Sequence, residues 1–414
     1  IERDGHADLV ARLRFDGGGV GPGAFVRRHA PSLAHPSAAQ LGHPRAAATS
    51  APTDRKPSPR RGASQRNSSR KACPRSAPGS PRRRIGTRNS WFRGPVDRRV
   101  TIAVVASAYG GPEVLTVIDE ELGAPGRGQV LVDVLAAAAN PADYKMYSGA
   151  FGRDPSKLPI RLGFEAAGVV AAVGEDAEGP AGAVHPGDDV IAYRIQGGYA
   201  SQVMVPASAV VPKPSTLSFE EASGLLLTGA TAAHALIATA VAAGDTVVVH
   251  GASGGVGSMA VQLAVIAGAR VIATAGESSH AYLRQLGAQP VSYGDGLAER
   301  IDALADNGVD AAIDTVGTDE AIDTSIALVA DRNRIATIAA FQRGSQLGLR
   351  VLGGGPGADP GTEIRNRARL TLAQLAEAGK LRVRVAATFP LVEAAAAHRE
   401  LATGHTHGKI VLIP

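Results

Sequence analysis

Three observations predict an α/β protein built on a doubly wound parallel sheet. A buried strand runs straight into a glycine-rich turn and a helix over Thr246 to Gly257, TVVVHGASGGVG. Strands and helices then alternate for about a hundred residues. The charge and texture of the chain change sharply near residue 100. Val247 to Val249 lack the alternation of a half-exposed strand, which places them at the centre of a parallel sheet. Gly251, Gly254 and Gly257 fall three apart. Ala260, Leu263, Ala264 and Ala267 then mark one face of a helix closed by Gly268. Unpaired amides and the positive end of the helix dipole make that junction an anion site, which a dinucleotide pyrophosphate commonly fills. A glycine turn used only for packing is the alternative. The units that follow argue against it: strands at Arg270–Ala275, Pro290–Tyr293, Val309–Thr315 and Arg334–Ala340, with helices at Ser279–Leu286 and Leu297–Asp306.

Taken from its start, the 414-residue chain has room for two or three domains, and its 44% hydrophobic residues suffice for a sizeable core. Residues 1–99 hold 21 of the 43 Lys and Arg and 6 of the 38 Asp and Glu, a net +15, which leaves −10 for the remainder. This first part is rich in Arg, Pro, Ser, Gly and Ala without apolar periodicity, so disorder is expected. It reads as a basic arm for nucleic acid, an organelle transit peptide, a solvated tail, or GC-rich DNA translated upstream of a start near Val100. The first is disfavoured because aromatics for base stacking are scarce, with Trp91 and Phe92 the exceptions. No apolar run is long enough to span a membrane. Cys73, the one cysteine, lies in this part. The folded part therefore offers no thiol nucleophile or cysteine metal ligand, which suits a reducing cytosol.

From Val100 the sequence reads as short strands broken by Gly and Pro. They lie over TIAVVASAYGGPEVLTVIDEE, over GQVLVDVLAAAAN ending at Asn140, and at Ala166–Val173, Asp189–Ala192 and Tyr199–Val205, which together make a β-rich domain. After the Rossmann-like units come a glycine-rich loop (Gly353 to Gly357), a helix through Ala378, and a strand, a helix and a final strand.

Eight segments in order now carry a resemblance. They are NPADYKMYSG, GFEAAGVVAAVG, HPGDDVIAY, GGYASQVMVP, LLLTGATAAHAL, the glycine motif, AAIDTVG and HGKIVLIP. Together they resemble the medium-chain dehydrogenase/reductase superfamily, and within it the zinc-free quinone oxidoreductase and enone reductase branch. The resemblance implies a GroES-like catalytic domain over 100–224, a Rossmann NADP-binding domain over 225–359, and a return to the catalytic domain over 360–414, behind the disordered extension of 1–99. It also implies a homodimer.

Zinc-dependent relatives carry a ligating histidine between the glycine and glutamate of Gly163 to Glu165, where this chain has Phe164. No metal is expected there, and His405 and His407 read as a polar turn rather than ligands. Without a Lewis acid to hold an alkoxide, reduction of an already activated quinone or enone is the accessible chemistry. The resemblance places Asn140, Tyr144, Lys145 and Thr231 in the catalytic site. Asn140 would lie beside nicotinamide and substrate, Lys145 would donate to the developing enolate or touch cofactor phosphate, Tyr144 is a second donor, and Thr231 would face the nicotinamide. The alternatives are an Asn-Pro turn, a solvated lysine and a helix cap. Cofactor contacts are expected from Gly251, Ala252, Ser253, Gly254, Gly255, Val256, Gly257, Ser278, Ser279, Tyr293 and Lys409. The second strand ends Thr274, Ala275, Gly276 with no acid to accept from a ribose hydroxyl, which favours NADPH, although Glu277 follows closely. An enoyl-thioester reductase stays open, with Arg365, Arg367 and Arg369 as a groove for a carrier phosphate or merely a solvated helix face. So does a cofactor- or nucleic-acid-binding protein with little turnover.

Overall fold

A computed structural model describes residues 99–414. The basic extension, apart from Arg99, lies outside the described residues, and with it every reading of residues 1–98.

The first part of the described chain is β-rich: Arg99–Ala106 (β1), Leu115–Leu122 (β2), Gln129–Ala139 (β3), the helix Pro141–Ser148 (α1), Ile160–Arg161 (β4), Glu165–Val173 (β5), Glu178–Gly179 (β6), Gly182–Ala183 (β7), Asp189–Tyr193 (β8), Gln202–Pro206 (β9) and Val210–Pro212 (β10). Helices Phe219–Ser223 (α2) and Leu226–Ala238 (α3) lead into the alternating part. There follow Thr246–His250 (β11), Gly255–Ile266 (α4), Arg270–Thr274 (β12), His280–Gln285 (α5), Gln289–Val291 (β13), Leu297–Asp302 (α6), Ala311–Asp314 (β14), Asp319–Leu328 (α7), Ile335–Thr337 (β15), Phe341–Gln346 (α8) and Arg350–Val351 (β16). Thr362–Glu377 (α9), Val385–Pro390 (β17), Ala394–Ala402 (α10) and Lys409–Ile413 (β18) close the chain.

The alternating part forms one parallel sheet in the order β13-β12-β11-β14-β15-β16. This is the doubly wound order, in which the strand order reverses beside the first strand and leaves a crevice at the carboxyl ends. All five residues of β11 are buried, as expected of a central strand. Val247 and Val249 enter the core beneath α3 and α4, and Val248 enters the opposite core with Ile272, Ile301 and Ala312. Helix α4 is mostly apolar and packs against both the sheet and α3, with its buried Gln262 bonded to the backbone of Arg382. Its Met259 and Leu263 are fully buried, each stabilising by about 1.5–3 kcal/mol.

The β-rich part forms a sheet in the order β10-β8-β5-β3-β18-β17, with β9 also paired to β3. The terminal strand β18 enters it antiparallel to β3, with Ile410 opposite Ala139. Helix α9 meanwhile packs Leu372 onto α3 at Gly229.

Several elements are shorter than the sequence implies. The strand expected over Val309–Thr315 is Ala311–Asp314, and that over Arg334–Ala340 is Ile335–Thr337. The helix expected to Asp306 ends at Asp302, and the strand expected from Tyr199 begins at Gln202. The helix expected from Ser279 begins as a tight 3-10 turn over Glu277–Ser279. Helix α8 and strand β16 were not anticipated. A two-residue strand has too few residues to show a period.

Candidate active site

The crevice begins at the glycine turn. Gly251 has φ +69, and a Cβ there would stand 2.8 Å from Thr315 Oγ1, so glycine suits both the left-handed turn and the close approach of the β14 loop. A Cβ on Gly257 would meet the carbonyl oxygen of Gly251 at 2.3 Å, backbone against backbone. Gly254 differs: a Cβ there meets only the Gly251 oxygen, at 3.4 Å. The turn is fixed from below. Thr315 Oγ1 donates to His250 O at 2.7 Å, Asp314 accepts from the amides of Val316 and Gly317, and Ala252 N donates to Thr274 O at 3.1 Å. His250 is buried, joined through Nδ1 to Thr274 Oγ1, and burial pushes its pKa down to about 4. It stays neutral at the end of the strand.

The second part of the site is assembled from four distant segments. Asn140 follows β3 at the N-cap of α1, Glu165 begins β5, Lys409 begins β18 and Leu227 lies in the first turn of α3. Lys409 Nζ donates to Asn140 Oδ1 at 2.5 Å and to Glu165 Oε1 at 3.0 Å. Asn140 Nδ2 donates to the same Glu165 oxygen, and Leu227 N donates to the other at 2.8 Å. All three polar side chains are buried. An ion pair at such depth is tolerable only with this degree of hydrogen bonding. The Lys409 stem runs past the glycine turn, its Cδ 3.1 Å from where a Cβ on Gly255 would stand, with Thr228 on the other side. One lysine thus touches the glycine cradle and the asparagine that follows β3.

Beneath Asn140 lies a chain of titratable groups. Asp143 accepts from the amides of Asn140 and Gly163, both at 2.9 Å, and lies close to the Tyr199 hydroxyl. Burial nevertheless raises its pKa to about 6. The Tyr199 hydroxyl lies 3.0 Å from His398 Nε2, and the Tyr147 hydroxyl 2.7 Å from Nδ1. Burial holds His398 at about 4, so it bridges two tyrosines as a neutral ring.

The other residues expected in the site fall around these two centres. Tyr144 and Lys145 follow Asn140 on α1, both half-buried. Burial raises the phenol and lowers the ammonium, whose Nζ stands 5.4 Å from the centre of the Phe341 ring. Thr231 was expected where a helix opens, yet α3 starts at Leu226. Thr231 lies in its second turn and donates Oγ1 to Leu227 O at 2.7 Å. Thr228, not Thr231, reaches the glycine turn. Val256 is half-buried in the first turn of α4. Ser253 Oγ and Ser279 Oγ lie 3.3 and 3.0 Å from His407 Nδ1, so the expected polar turn is also a clasp between the glycine loop and the end of β12. Ser278 is exposed, and the exposed Tyr293 lies beside Gly276. Among the described residues no group of three His, Cys, Asp or Glu is arranged to hold a metal.

Sequence reasoning assigned no role to Glu165, Tyr199 or His398, and gave His407 only a place in a polar turn. A signal for Glu165 was present: it is the one charged residue in the buried strand EAAGVVAAV. The tyrosine–histidine contacts span 199 and 251 residues and leave no local pattern.

The alcohol dehydrogenase GroES-like domain model matches residues 126–215, and the model described as zinc-binding dehydrogenase matches residues 286–412. Mouse quinone oxidoreductase is 31% identical over 331 residues, covering 75% of this chain and 97% of that protein. The NADPH-dependent alkenal/one oxidoreductase of Arabidopsis thaliana chloroplasts is 30% identical over 327 residues, covering 75% and 79%. Among solved structures, an NAD-dependent alcohol dehydrogenase is 32% identical with TM-score 0.65, covering 76% of this chain and 99% of its own. A mycobacterial protein solved with NADPH is 32% identical with TM-score 0.64, covering 76% and 100%. The chain belongs to the medium-chain dehydrogenase/reductase superfamily, in its quinone oxidoreductase branch.

Proposed function

We propose that this oxidoreductase transfers a hydride from NADPH to a quinone or an α,β-unsaturated carbonyl compound, without zinc. The observation that carries the reading is the position of Lys409, whose stem lines the glycine turn and whose ammonium is bonded to Asn140 and Glu165.

The zinc implied by the name of one matching family does not fit the donors present. Phe164 stands where a ligating histidine would, the described residues contain no cysteine, and the oxygens of Asn140 and Glu165 already receive an ammonium that would repel a divalent cation.

A nicotinamide dinucleotide fits better. The loop from Gly251 to Gly257, with Ala252, Ser253, Gly254, Gly255 and Val256, would hold its pyrophosphate, and Ser278, Ser279 and Tyr293 its adenosine end. When bound, the nicotinamide supplies the hydride. NADPH is favoured because β12 ends without an acid and because two relatives are described with NADPH. Hydride addition to a conjugated acceptor places negative charge on its oxygen, and donors in a water-poor cleft stabilise that charge. Tyr144 keeps its proton because burial raises its pKa, whereas burial makes the Lys145 ammonium a readier proton donor. Asn140 would orient the nicotinamide amide, its own amide held by Lys409 and Glu165.

The test is turnover of the full chain with NADPH and, in parallel, NADH against a panel of quinones and enones, with a metal chelator present. The expected result is consumption of NADPH well above that of NADH, unaffected by chelator. Activity that appears only on adding zinc would overturn the metal-free reading. Equal use of NADH would overturn the cofactor assignment.

A further inference from the structure

Helix α9 carries Arg365, Arg367 and Arg369 near its start, and they do not share one environment. Arg367 is exposed and paired with Glu363 on the same helix. Arg365 and Arg369 turn inward toward the catalytic sheet. Arg365 lies beside Tyr193 at the end of β8, and Arg369 Nη1 donates to Ser208 O at 2.8 Å. Arg194, directly after Tyr193, lays its guanidinium on the same helix, donating to Thr362 O and Oγ1 at 3.2 and 3.3 Å.

Three guanidinium groups therefore converge, and among the described residues none of them forms an ion pair. The neighbouring acid, Asp359, is already bonded to His234 Nε2 and to the amide of Gly361. Arg365 Nε and Nη2 are both buried without a hydrogen-bond partner. Buried guanidinium N–H groups are costly to leave unmade, and their planar fork matches a carboxylate or phosphate. Burial, and to a smaller degree the Arg194 charge, push Arg365 below its ordinary range against the raising influence of Tyr193 and Asp359. Residues 100–414 carry net negative charge, so the cluster runs against the charge of its own domain.

We propose that Arg194, Arg365 and Arg369 form an anion subsite that takes a carboxylate or phosphate. Tyr193, which Arg365 touches, is the strand partner of Glu165, so the subsite lies one strand away from the Asn140–Glu165–Lys409 centre. The anion is then the acidic tail of the conjugated acceptor, a step that rests on the reductase reading, or a free phosphate bound beside the site.

Two arms on the full chain test this. In the first, thermal melting is followed with and without inorganic phosphate in a Gly254→Asp background, which removes the glycine-loop anion site. Phosphate is expected to raise Tm. Arg365→Gln is expected to raise Tm in phosphate-free buffer, because it removes an unpaired cation, and to abolish the phosphate gain. In the second arm, with Gly254 intact, KM and kcat are compared for a conjugated ketone bearing a carboxylate and for its methyl ester. Arg365→Gln is expected to raise KM for the acid about tenfold and to leave kcat and the ester unchanged.

Loss of the phosphate gain with both KM values unchanged keeps the subsite and assigns it to free phosphate. A lowered Tm with the phosphate gain intact, or equal effects on acid and ester, would overturn the proposal. Should Arg365→Gln fail to fold, Arg369→Gln carries the phosphate and KM readings, without the rise in Tm because its guanidinium is bonded to Ser208 O. Should the unaltered chain reduce neither ketone, the reductase reading fails while the melting arm still decides the subsite.

Discussion

The two sheets build their halves of the crevice in opposite ways. The parallel sheet makes its half from one continuous stretch, Thr246 to Gly257, with steric demands set by backbone meeting backbone. The antiparallel sheet makes its half from side chains at positions 140, 143, 165, 199, 398 and 409, drawn together by the pairing of β18 with β3 and of β3 with β5. A local site is damaged by a change of shape. A dispersed one is damaged by leaving a partner uncompensated.

The largest expected effect tests the shape side of that contrast. Gly257→Val drives a side chain into the Gly251 carbonyl, where the added Cβ alone would stand at 2.3 Å. It should cost several kcal/mol and yield little folded protein, read as loss of a cooperative melting transition. Gly254→Asp meets no such obstacle, so its melting temperature should stay near that of the parent. NADPH affinity should fall at least about 100-fold, because a carboxylate enters the anion site. Undiminished NADPH affinity in this variant would remove the cofactor-site assignment.

Next comes the uncompensated partner. Lys409→Met leaves Glu165 buried without its cation and should destabilise by about 3–5 kcal/mol. Lys409→Met with Glu165→Gln should recover part of that loss, measured as a double-mutant cycle in denaturant. Additive losses would mean the two residues do not act as a pair.

The pH dependence is smaller and differs between buried groups. His250 and His398 sit near 4, below the ordinary 6.5, so the unfolded chain binds more protons between about pH 4 and 6.5 and stability rises with pH there. Asp143 sits near 6, above the ordinary 3.8, and burial also raises Asp314. Both carboxyls bind more protons in the folded state, so their contribution falls as pH rises over that window. His398→Gln should therefore remove one of the two rising contributions, at most about 1.4 kcal/mol per pH unit, and flatten the profile, because the rise left from His250 is opposed by the fall from Asp143. An unchanged profile of stability against pH would contradict the neutral, buried histidine.

The smallest effect is kinetic. Lys145→Met should lower kcat about 10- to 100-fold with NADPH affinity nearly unchanged if the ammonium serves the acceptor oxygen. Parallel losses in both would indicate a contact to the cofactor instead.

The same contrast decides what could be read from the chain. The glycine turn, the central strand and the doubly wound order follow from period and spacing within a few dozen residues. Asn140 was read as the end of a strand, and it follows β3 directly, but the helix it opens was not read. Lys409 and Glu165 are 244 positions apart, and nothing in their neighbourhoods announces that they meet. Thr231 was placed in the site by resemblance, and its hydroxyl proves to be bonded within its own helix while Thr228 reaches the turn. The basic stripe on α9 was read as a groove or a solvated face. Helical spacing put three arginines on one helix but could not say that two of them face the antiparallel sheet, Arg369 bonding to a residue 161 positions earlier.

Hydride transfer is tested most directly with NADPH deuterated at the reactive carbon of the nicotinamide, incubated with the full chain and an enone, the product then being analysed for deuterium. Deuterium at the carbon β to the carbonyl is expected, and none when Gly254 is Asp. NADPH that binds tightly while no acceptor gains deuterium would contradict the reductase assignment.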